Sequence, residues 1–423
     1  MPEPQKLIVG REAEIELFKD FVTSQGPEFI LNIFGPGGIG KTEVCEKLTE
    51  CCRHQGWLYA SVQGDSPSLS FDRILYQIKE ELITEPSGDS SLDKHFKEFE
   101  KRLSEYLIVQ DVLERGGGFA KLFDSVGNVV PDLLKMVTGM GKAVEEELRR
   151  KFRNRYALQQ YMNSAERWLA ESLAEGITGI LGESSKPIVL LIDSYEKLSL
   201  LDEWVCETLV RTLPSGIRIV LSGRDRVQDM GFHWKEYADQ ILSHELLELE
   251  KQPTYAYLRH YGLKDPRLLD DTYAFTGGYP LCLVLAVELS RKIGWEQVAG
   301  FQRQTDRYEV ARQLLDRILE QEEVKEVREF LEKGVVTLWF DVEAIAYVLD
   351  IPPEQAERIY SRISRFSFTQ RHEFGLKFHD KVRDLLLERL SFMDRKLYEG
   401  LLHRWRDYYK SKVEKGWLLS ETR

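Results

Sequence analysis

The first half of the chain alternates short apolar runs with longer segments whose apolar residues recur at helical spacing. Residues 29–34, 188–192 and 216–221 are mostly apolar, as expected of strands buried on both faces of a sheet, and residues 57–62 form a similar run. The chain between these runs is dominated by helical periodicity. Alternation of this kind predicts an α/β fold built on a parallel sheet.

The pattern turns helical after residue 242. The elements predicted between residues 322 and 390 are helices over 324–338, 342–349 and 353–366, strands over 367–371 and 374–378, and a closing helix that begins at His379. Helices followed by a short hairpin predict a winged-helix domain.

A long helical insertion, residues 85–186, separates the second apolar run from the third. Its clearest amphipathic segments are residues 92–113 and 156–177. Between them, residues 116–141 carry a dense apolar stripe interrupted by lysine and aspartate. A stripe at helical spacing is more typical of a core. A partner-binding or membrane-touching hairpin is the alternative.

Composition narrows the class of protein. The 423 residues suggest two to four domains, and 43% hydrophobic with 30% charged residues is ordinary for a soluble protein. No apolar run approaches bilayer length and the first residues do not resemble a signal peptide, so a cytoplasmic location is expected. Five cysteines lack metal-ligand spacing. A formal charge of −12 argues against a broad nucleic-acid surface, although a local basic face stays open.

The glycine-rich stretch after the first apolar run matches a P-loop. It reads Gly-Pro-Gly-Gly-Ile-Gly-Lys-Thr and lies between a predicted strand and a predicted helix, the context that such a loop requires. Glycines let backbone N–H groups approach phosphate oxygens, Lys41 would reach the β- and γ-phosphates, and Thr42 would bind Mg²⁺. The residues predicted to bind nucleotide here are Gly35, Pro36, Gly37, Gly38, Ile39, Gly40, Lys41, Thr42 and Glu43.

Polar residues follow two further predicted strands, where a parallel sheet opens to its ligand. Asp193 fits the aspartate that holds Mg²⁺ through water, and Glu196 is the candidate for polarising the attacking water. A solvated acid at a helix start is the alternative for Glu196. Ser222 or Arg224 would face the γ-phosphate, unless Arg224 merely pairs with Asp225.

Three more segments, in this order around the P-loop, resemble motifs of the STAND class of signalling ATPases, relatives of NB-ARC and AAA+ proteins. They are Val9-Gly10-Arg11, Gly278-Tyr279-Pro280 and Phe378-His379-Asp380. The resemblance implies that Val9, Gly10, Arg11 and Pro280 contact adenine and that His379 contacts the β-phosphate of ADP. Simpler explanations exist, since proline suits the first turn of a helix and Asp380 suits a helix N-terminus.

The resemblance implies four parts. They are a P-loop nucleotide-binding domain over residues 1–245, a helical domain over 246–320, a winged-helix domain over 321–391 and a C-terminal helix over 392–423. It also implies a slow ATPase switch that holds ADP at rest, exchanges it for ATP when an unknown partner or ligand acts, and forms a homo-oligomer.

Two rivals to this switch are kept. One is a DNA-associated ATPase of the initiator or regulator kind, disfavoured because residues 353–366 mix acidic and basic side chains. The other is a scaffold stabilised by nucleotide with negligible turnover.

Overall fold

The computed structural model describes residues 9–66, 69–84, 90–115, 161–301, 306–372 and 374–414. The apolar stripe at 116–141 lies outside these residues. By its internal contacts the chain divides into two units. We call residues 13–35 and 41–246 the sheet unit, and residues 9–12, 36–40 and 247–414 the helical unit.

The sheet unit contains five parallel strands in the order β2-β3-β4-β1-β5. The strands are β1 Ile30–Phe34, β2 Leu58–Gln63, β3 Ile188–Asp193, β4 Ile217–Gly223 and β5 Ile241–Glu245. The predicted parallel α/β sheet is therefore confirmed. The strand that ends in Asp193 is buried along its whole length and lies beside β4, so the polar residues that follow these two strands share one edge of the sheet.

Helices and tighter turns connect the strands. The α-helices are α1 Glu12–Thr23, α2 Lys41–Gln55, α3 Phe71–Thr84, α4 Lys97–Arg115, α5 Ala165–Glu183, α6 Asp202–Trp204 and α7 Val227–Met230. Turns of 3₁₀ helix span Ser90–Phe96, Tyr195–Leu198 and His233–Gln240, and a π-helical turn spans Val205–Val210.

The insertion helix predicted to stop at residue 177 continues to Glu183. Glycines in this stretch favour an end to the helix by local propensity. Here the missing side chain serves packing, because a Cβ at Gly176 would lie 2.5 Å from the Phe96 ring. Tertiary contact thus overrides the local preference.

The helical unit contains ten α-helices and one antiparallel hairpin among its described residues. The helices are α8 Lys251–His260, α9 Pro266–Thr276, α10 Pro280–Ile293, α11 Trp295–Ala299, α12 Arg307–Glu320, α13 Lys325–Lys333, α14 Val342–Leu349, α15 Pro353–Ile363, α16 Asp380–Met393 and α17 Arg395–Glu414. The hairpin pairs β6 Thr369–His372 with β7 Gly375–Phe378, and a 3₁₀ turn spans Gly334–Val336.

The order of α13, α14, α15, the hairpin and α16 is that of a winged helix, as predicted. The first helix is shorter than expected, ending at Lys333 instead of residue 338. The chain must extend there because Phe340 exchanges both backbone hydrogen bonds with Leu376 of the hairpin. Phe330 and Phe378 each lie 4.9 Å from the Phe340 ring and form the core of this domain.

No helix among the residues described combines the length and the apolar character needed to cross a bilayer.

Candidate nucleotide site

A carboxylate and two hydroxyls meet at the edge of the sheet. Asp193, the last residue of β3, is 1% exposed. Its Oδ2 atom accepts a hydrogen bond of 2.7 Å from the Thr42 hydroxyl, and its Oδ1 atom accepts one of 2.7 Å from the Ser222 hydroxyl. The two residues predicted to serve the metal are therefore in direct contact.

This donor set fits Mg²⁺ in a P-loop site. Such a site supplies one hydroxyl and a carboxylate, while phosphate oxygens and water complete the coordination. In the described part of the chain, no cluster of three or more acidic, histidine or cysteine side chains could bind a metal by itself. Any Mg²⁺ held by Thr42 and Asp193 would thus depend on phosphate.

Lys41 lies at the start of α2, where its ammonium donates a hydrogen bond of 2.8 Å to the carbonyl of Gly35. Burial lowers the pKa of Lys41 below its usual value, although Glu196 and Asp193 act in the opposite direction. A desolvated ammonium gains more from a polyphosphate than an exposed one does, because its charge is less screened.

Glu196 and Arg224 form an ion pair of 3.2 Å between Oε1 and Nε. The alternative pairing of Arg224 with Asp225 is not the one found. The second carboxylate oxygen of Glu196, Oε2, is buried and accepts no hydrogen bond from the described residues. A buried acceptor without a donor is costly in a finished structure. A water molecule placed there would satisfy it.

The backbone after Asp193 explains how Glu196 reaches Arg224. Ser194 has φ 54° and ψ 40°, in the left-handed region, and a 3₁₀ turn follows. The next side chain, Tyr195, turns inward and donates a hydrogen bond of 2.6 Å to Asp202. Trp234 donates to the same Asp202 oxygen at 2.9 Å. This buried network anchors the turn that carries Glu196.

The glycine-rich loop, residues 36–40, is contacted within the helical unit through its carbonyls. Arg11 is 6% exposed and donates to the carbonyl of Ile39 at 2.8 Å and to that of Leu247 at 3.0 Å. Tyr279 donates its hydroxyl to the Gly37 carbonyl at 2.5 Å. The Leu281 amide donates to the Gly38 carbonyl at 3.1 Å.

Gly38 could not be replaced by a larger residue without disturbing this arrangement. Its φ is +91°, which residues with a side chain rarely adopt, and an added Cβ would lie 2.9 Å from the Cβ of Leu281. Sequence analysis did not identify Tyr279 or Leu281 as loop contacts. The available signal was their position on either side of Pro280 in the Gly-x-Pro motif.

The residues predicted for adenine all belong to the helical unit. Val9 packs against an apolar cluster centred on α8 and α9, and a Cβ on Gly10 would lie 2.4 Å from Pro253. Arg11 binds loop carbonyls, as described, and Pro280 is the first residue of α10. Contact of these residues with adenine stays a prediction.

His379 is the N-cap residue of α16. Its Nδ1 atom accepts the Lys381 amide at 3.3 Å, and its own amide donates to the Phe368 carbonyl at 2.8 Å. The capping bond requires that Nδ1 carry no proton, so Nε2 is the nitrogen that would have to donate to a phosphate. The predicted contact with ADP stays a prediction.

Comparison with known proteins adds two weak structural similarities. No family model matches the chain, and no curated protein matches it. The crystal structure of Cdc6p from Pyrobaculum aerophilum aligns with a TM-score of 0.36 and 13% sequence identity, over 92% of this chain and 97% of that one. The structure of the Aeropyrum pernix Orc1 protein in complex with DNA aligns with a TM-score of 0.33 and 12% identity, over 92% and 95% of the two chains. At these TM-scores neither decides an activity. The P-loop fold stands on the strand order and the loop of this chain.

Proposed function

We propose that this chain is a P-loop ATPase that binds ATP with Mg²⁺. The observation that carries the proposal is the hydrogen bond from the Thr42 hydroxyl to the buried Asp193 carboxylate. A buried carboxylate is costly unless it is paired or serves a cation. A threonine directly after the P-loop lysine and an aspartate at the end of a neighbouring buried strand are the pair that a Mg²⁺-nucleotide requires.

Each side chain has one task in this proposal. Lys41 binds the β- and γ-phosphates, and Thr42 and Asp193 hold the metal. Bound Mg²⁺ supplies neutralisation of phosphate charge. Glu196 orients and deprotonates water through its unsatisfied Oε2 atom, while Arg224 holds the other oxygen of Glu196 and responds to the γ-phosphate.

The finer part of the proposal is a switch of the STAND type. ADP is bound at rest, His379 binds its β-phosphate, and exchange for ATP leads to a homo-oligomer. Only a difference in affinity between the two states can drive such a change. Replacement of His379 by alanine should then weaken ADP retention and raise spontaneous oligomerisation. Unchanged nucleotide content and elution volume would remove that role.

The test of the ATPase itself begins with the nucleotide that copurifies with the protein, released by denaturation and identified by chromatography. ADP is the expected result. Phosphate release should then depend on Mg²⁺ and should be lost in Lys41→Ala. Purified protein that carries no nucleotide and shows no ATP binding in a filter or calorimetric titration would end the proposal.

A DNA-associated ATPase is the second candidate, and one surface favours it. Arg358, Arg362 and Arg365 lie at helical spacing on α15, the helix that precedes the hairpin, and line a shallow cavity of about 660 Å³ together with Glu326 and Glu357. A gel shift with duplex DNA at increasing salt decides between the two, because phosphate contacts weaken steeply as salt rises. No shift at low salt would exclude DNA binding.

A further inference from the structure

Within the helical unit, one tyrosine links the phosphate loop to the winged-helix domain. Tyr279 is 2% exposed, and burial, aided by the neighbouring Tyr308, raises the pKa of Tyr279 well above its usual value. Its hydroxyl therefore keeps its proton at any physiological pH. The hydrogen bond to the Gly37 carbonyl is a permanent donor contact.

Holding a carbonyl also fixes an amide. The peptide unit is planar and trans, so the C=O of one residue and the N–H of the next point in opposite directions. A bond from Tyr279 to the Gly37 carbonyl orients the amide of Gly38, and the bond from Arg11 to the Ile39 carbonyl orients the amide of Gly40.

These two amides have no acceptor among the described residues, and the same holds for the amide of Gly37. In a P-loop, amides of this kind bind the phosphate oxygens. The tyrosine hydroxyl thus acts on the ligand through the loop backbone.

The tyrosine has a neighbour that extends toward the hairpin. The rings of Tyr279 and Tyr308 meet edge to face with centroids 6.3 Å apart. The ammonium of Lys381 lies 3.9 Å from the centroid of the Tyr308 ring, close enough for a cation–π contact. Lys381 is the second residue of α16, and its amide caps onto His379.

We propose that Tyr279 is a positioning residue for the phosphate loop, and that Tyr308 and Lys381 connect it to the closing helix of the winged-helix domain. This inference rests on the proposed nucleotide binding. It adds a path that does not require any phosphate contact by His379: when α16 shifts, the support for the Tyr279 ring changes and the loop amides lose their alignment. The winged-helix domain would then set the affinity for ADP and ATP.

The first test is Tyr279→Phe, which keeps the ring and removes the donor. We expect the Kd for ADP and the KM for ATP to rise about tenfold, as for loss of one buried hydrogen bond, with kcat little changed. Tyr261→Phe, in the same unit at the end of α8, is the matched control and should change neither constant. Equal melting temperatures without nucleotide would show that the fold is intact. An unchanged Kd in a folded Tyr279→Phe protein would overturn the positioning role.

The second test is the connection itself. Lys381→Met removes the charge but keeps the stem, and the Kd for ADP should rise about threefold, as for a cation–π contact. Combined with Tyr279→Phe it should add little, because both changes act on the same loop support. Full multiplication of the two effects, or no effect of Lys381→Met, would overturn the connection. Failure of the wild-type protein to bind ADP would instead overturn the proposed function.

Discussion

The cluster around Asp193 in the sheet unit and the loop support around Tyr279 in the helical unit are built in opposite ways. In the first, side chains present the chemical groups themselves: a hydroxyl, a carboxylate and an ion pair. In the second, Arg11 and Tyr279 hold main-chain carbonyls, and the loop amides are the groups left for a ligand. Changes in the first region should therefore lower turnover, and changes in the second should lower affinity.

The largest effect is expected from Asp193→Asn. The amide keeps the shape of the side chain but loses the charge that faces the metal, so phosphate release should fall about 10³-fold, the cost of removing one electrostatic contact in such a site. Asp225→Asn, at an exposed acid past the end of β4, is the control and should retain activity. Activity near wild type in Asp193→Asn would remove the aspartate from the metal site. The measurement is steady-state phosphate release at saturating ATP and Mg²⁺.

Glu196→Gln should be next in size. It keeps the pairing oxygen for Arg224 and removes the base, so kcat should fall about 10²-fold with KM for ATP unchanged. Glu203→Gln, an exposed acid of α6, is the matched control. Equal phosphate release from Glu196→Gln and wild type would support a scaffold that binds nucleotide without using it.

Gly38→Ala tests the loop support with a smaller expected effect. The new Cβ would push against Leu281, so the Kd for ADP should rise by roughly tenfold or more while any bound ATP still turns over. Gly262→Ala is a close control, because Gly262 has φ +93° and no atom within 4 Å of an added Cβ. It should lower the melting temperature through backbone strain alone. If both variants bind ADP equally, the contact with Leu281 is without consequence for the loop.

Glu322→Gln should affect stability only. Glu322 is fully buried among Lys292 and Arg362, and although burial raises its pKa, the hydrogen bonds from Lys292 and the Val324 amide prevail and leave the pKa below its usual value. We expect a loss of about 2 kcal/mol in the free energy of unfolding at pH 7, measured in urea, with unchanged Kd for ADP.

The pH dependence of that loss has a definite sign. A carboxylate whose folded pKa is depressed stabilises the protein above its unfolded pKa of about 4.3, and this contribution disappears as the pH falls through the folded value. The difference between wild type and Glu322→Gln should be constant from pH 8 to about 5 and should shrink below that. Glu323→Gln, at the exposed neighbouring acid, should show no such trend. A difference that grows on acidification would contradict the assignment.

The side-chain half of the site was open to prediction from sequence. Lys41, Thr42 and Asp193 are required by residue type, and each follows directly on a glycine loop or a buried strand. Their meeting follows from the edge that parallel strands share. The structure places Thr42 and Asp193 in contact accordingly.

The backbone half was not. Every residue carries a carbonyl, so nothing in the sequence distinguishes the Gly37 carbonyl as the partner of Tyr279. The pairing of Arg224 with Glu196 depended in the same way on a turn that local sequence does not specify. The early end of the first winged-helix helix depended on the pairing of Phe340 with Leu376, which are 36 residues apart by numbering (376 − 340).

The left-handed backbone at Ser194 has a consequence for which sequences the site would accept. A residue with a side chain is strained there by roughly 1 kcal/mol or more, and a β-branched one by more, whereas glycine and asparagine are at ease. In a library randomised at this one codon and selected for nucleotide retention, valine and isoleucine should vanish first and glycine should persist. The turn would thereby leave its mark as a short list of permitted amino acids.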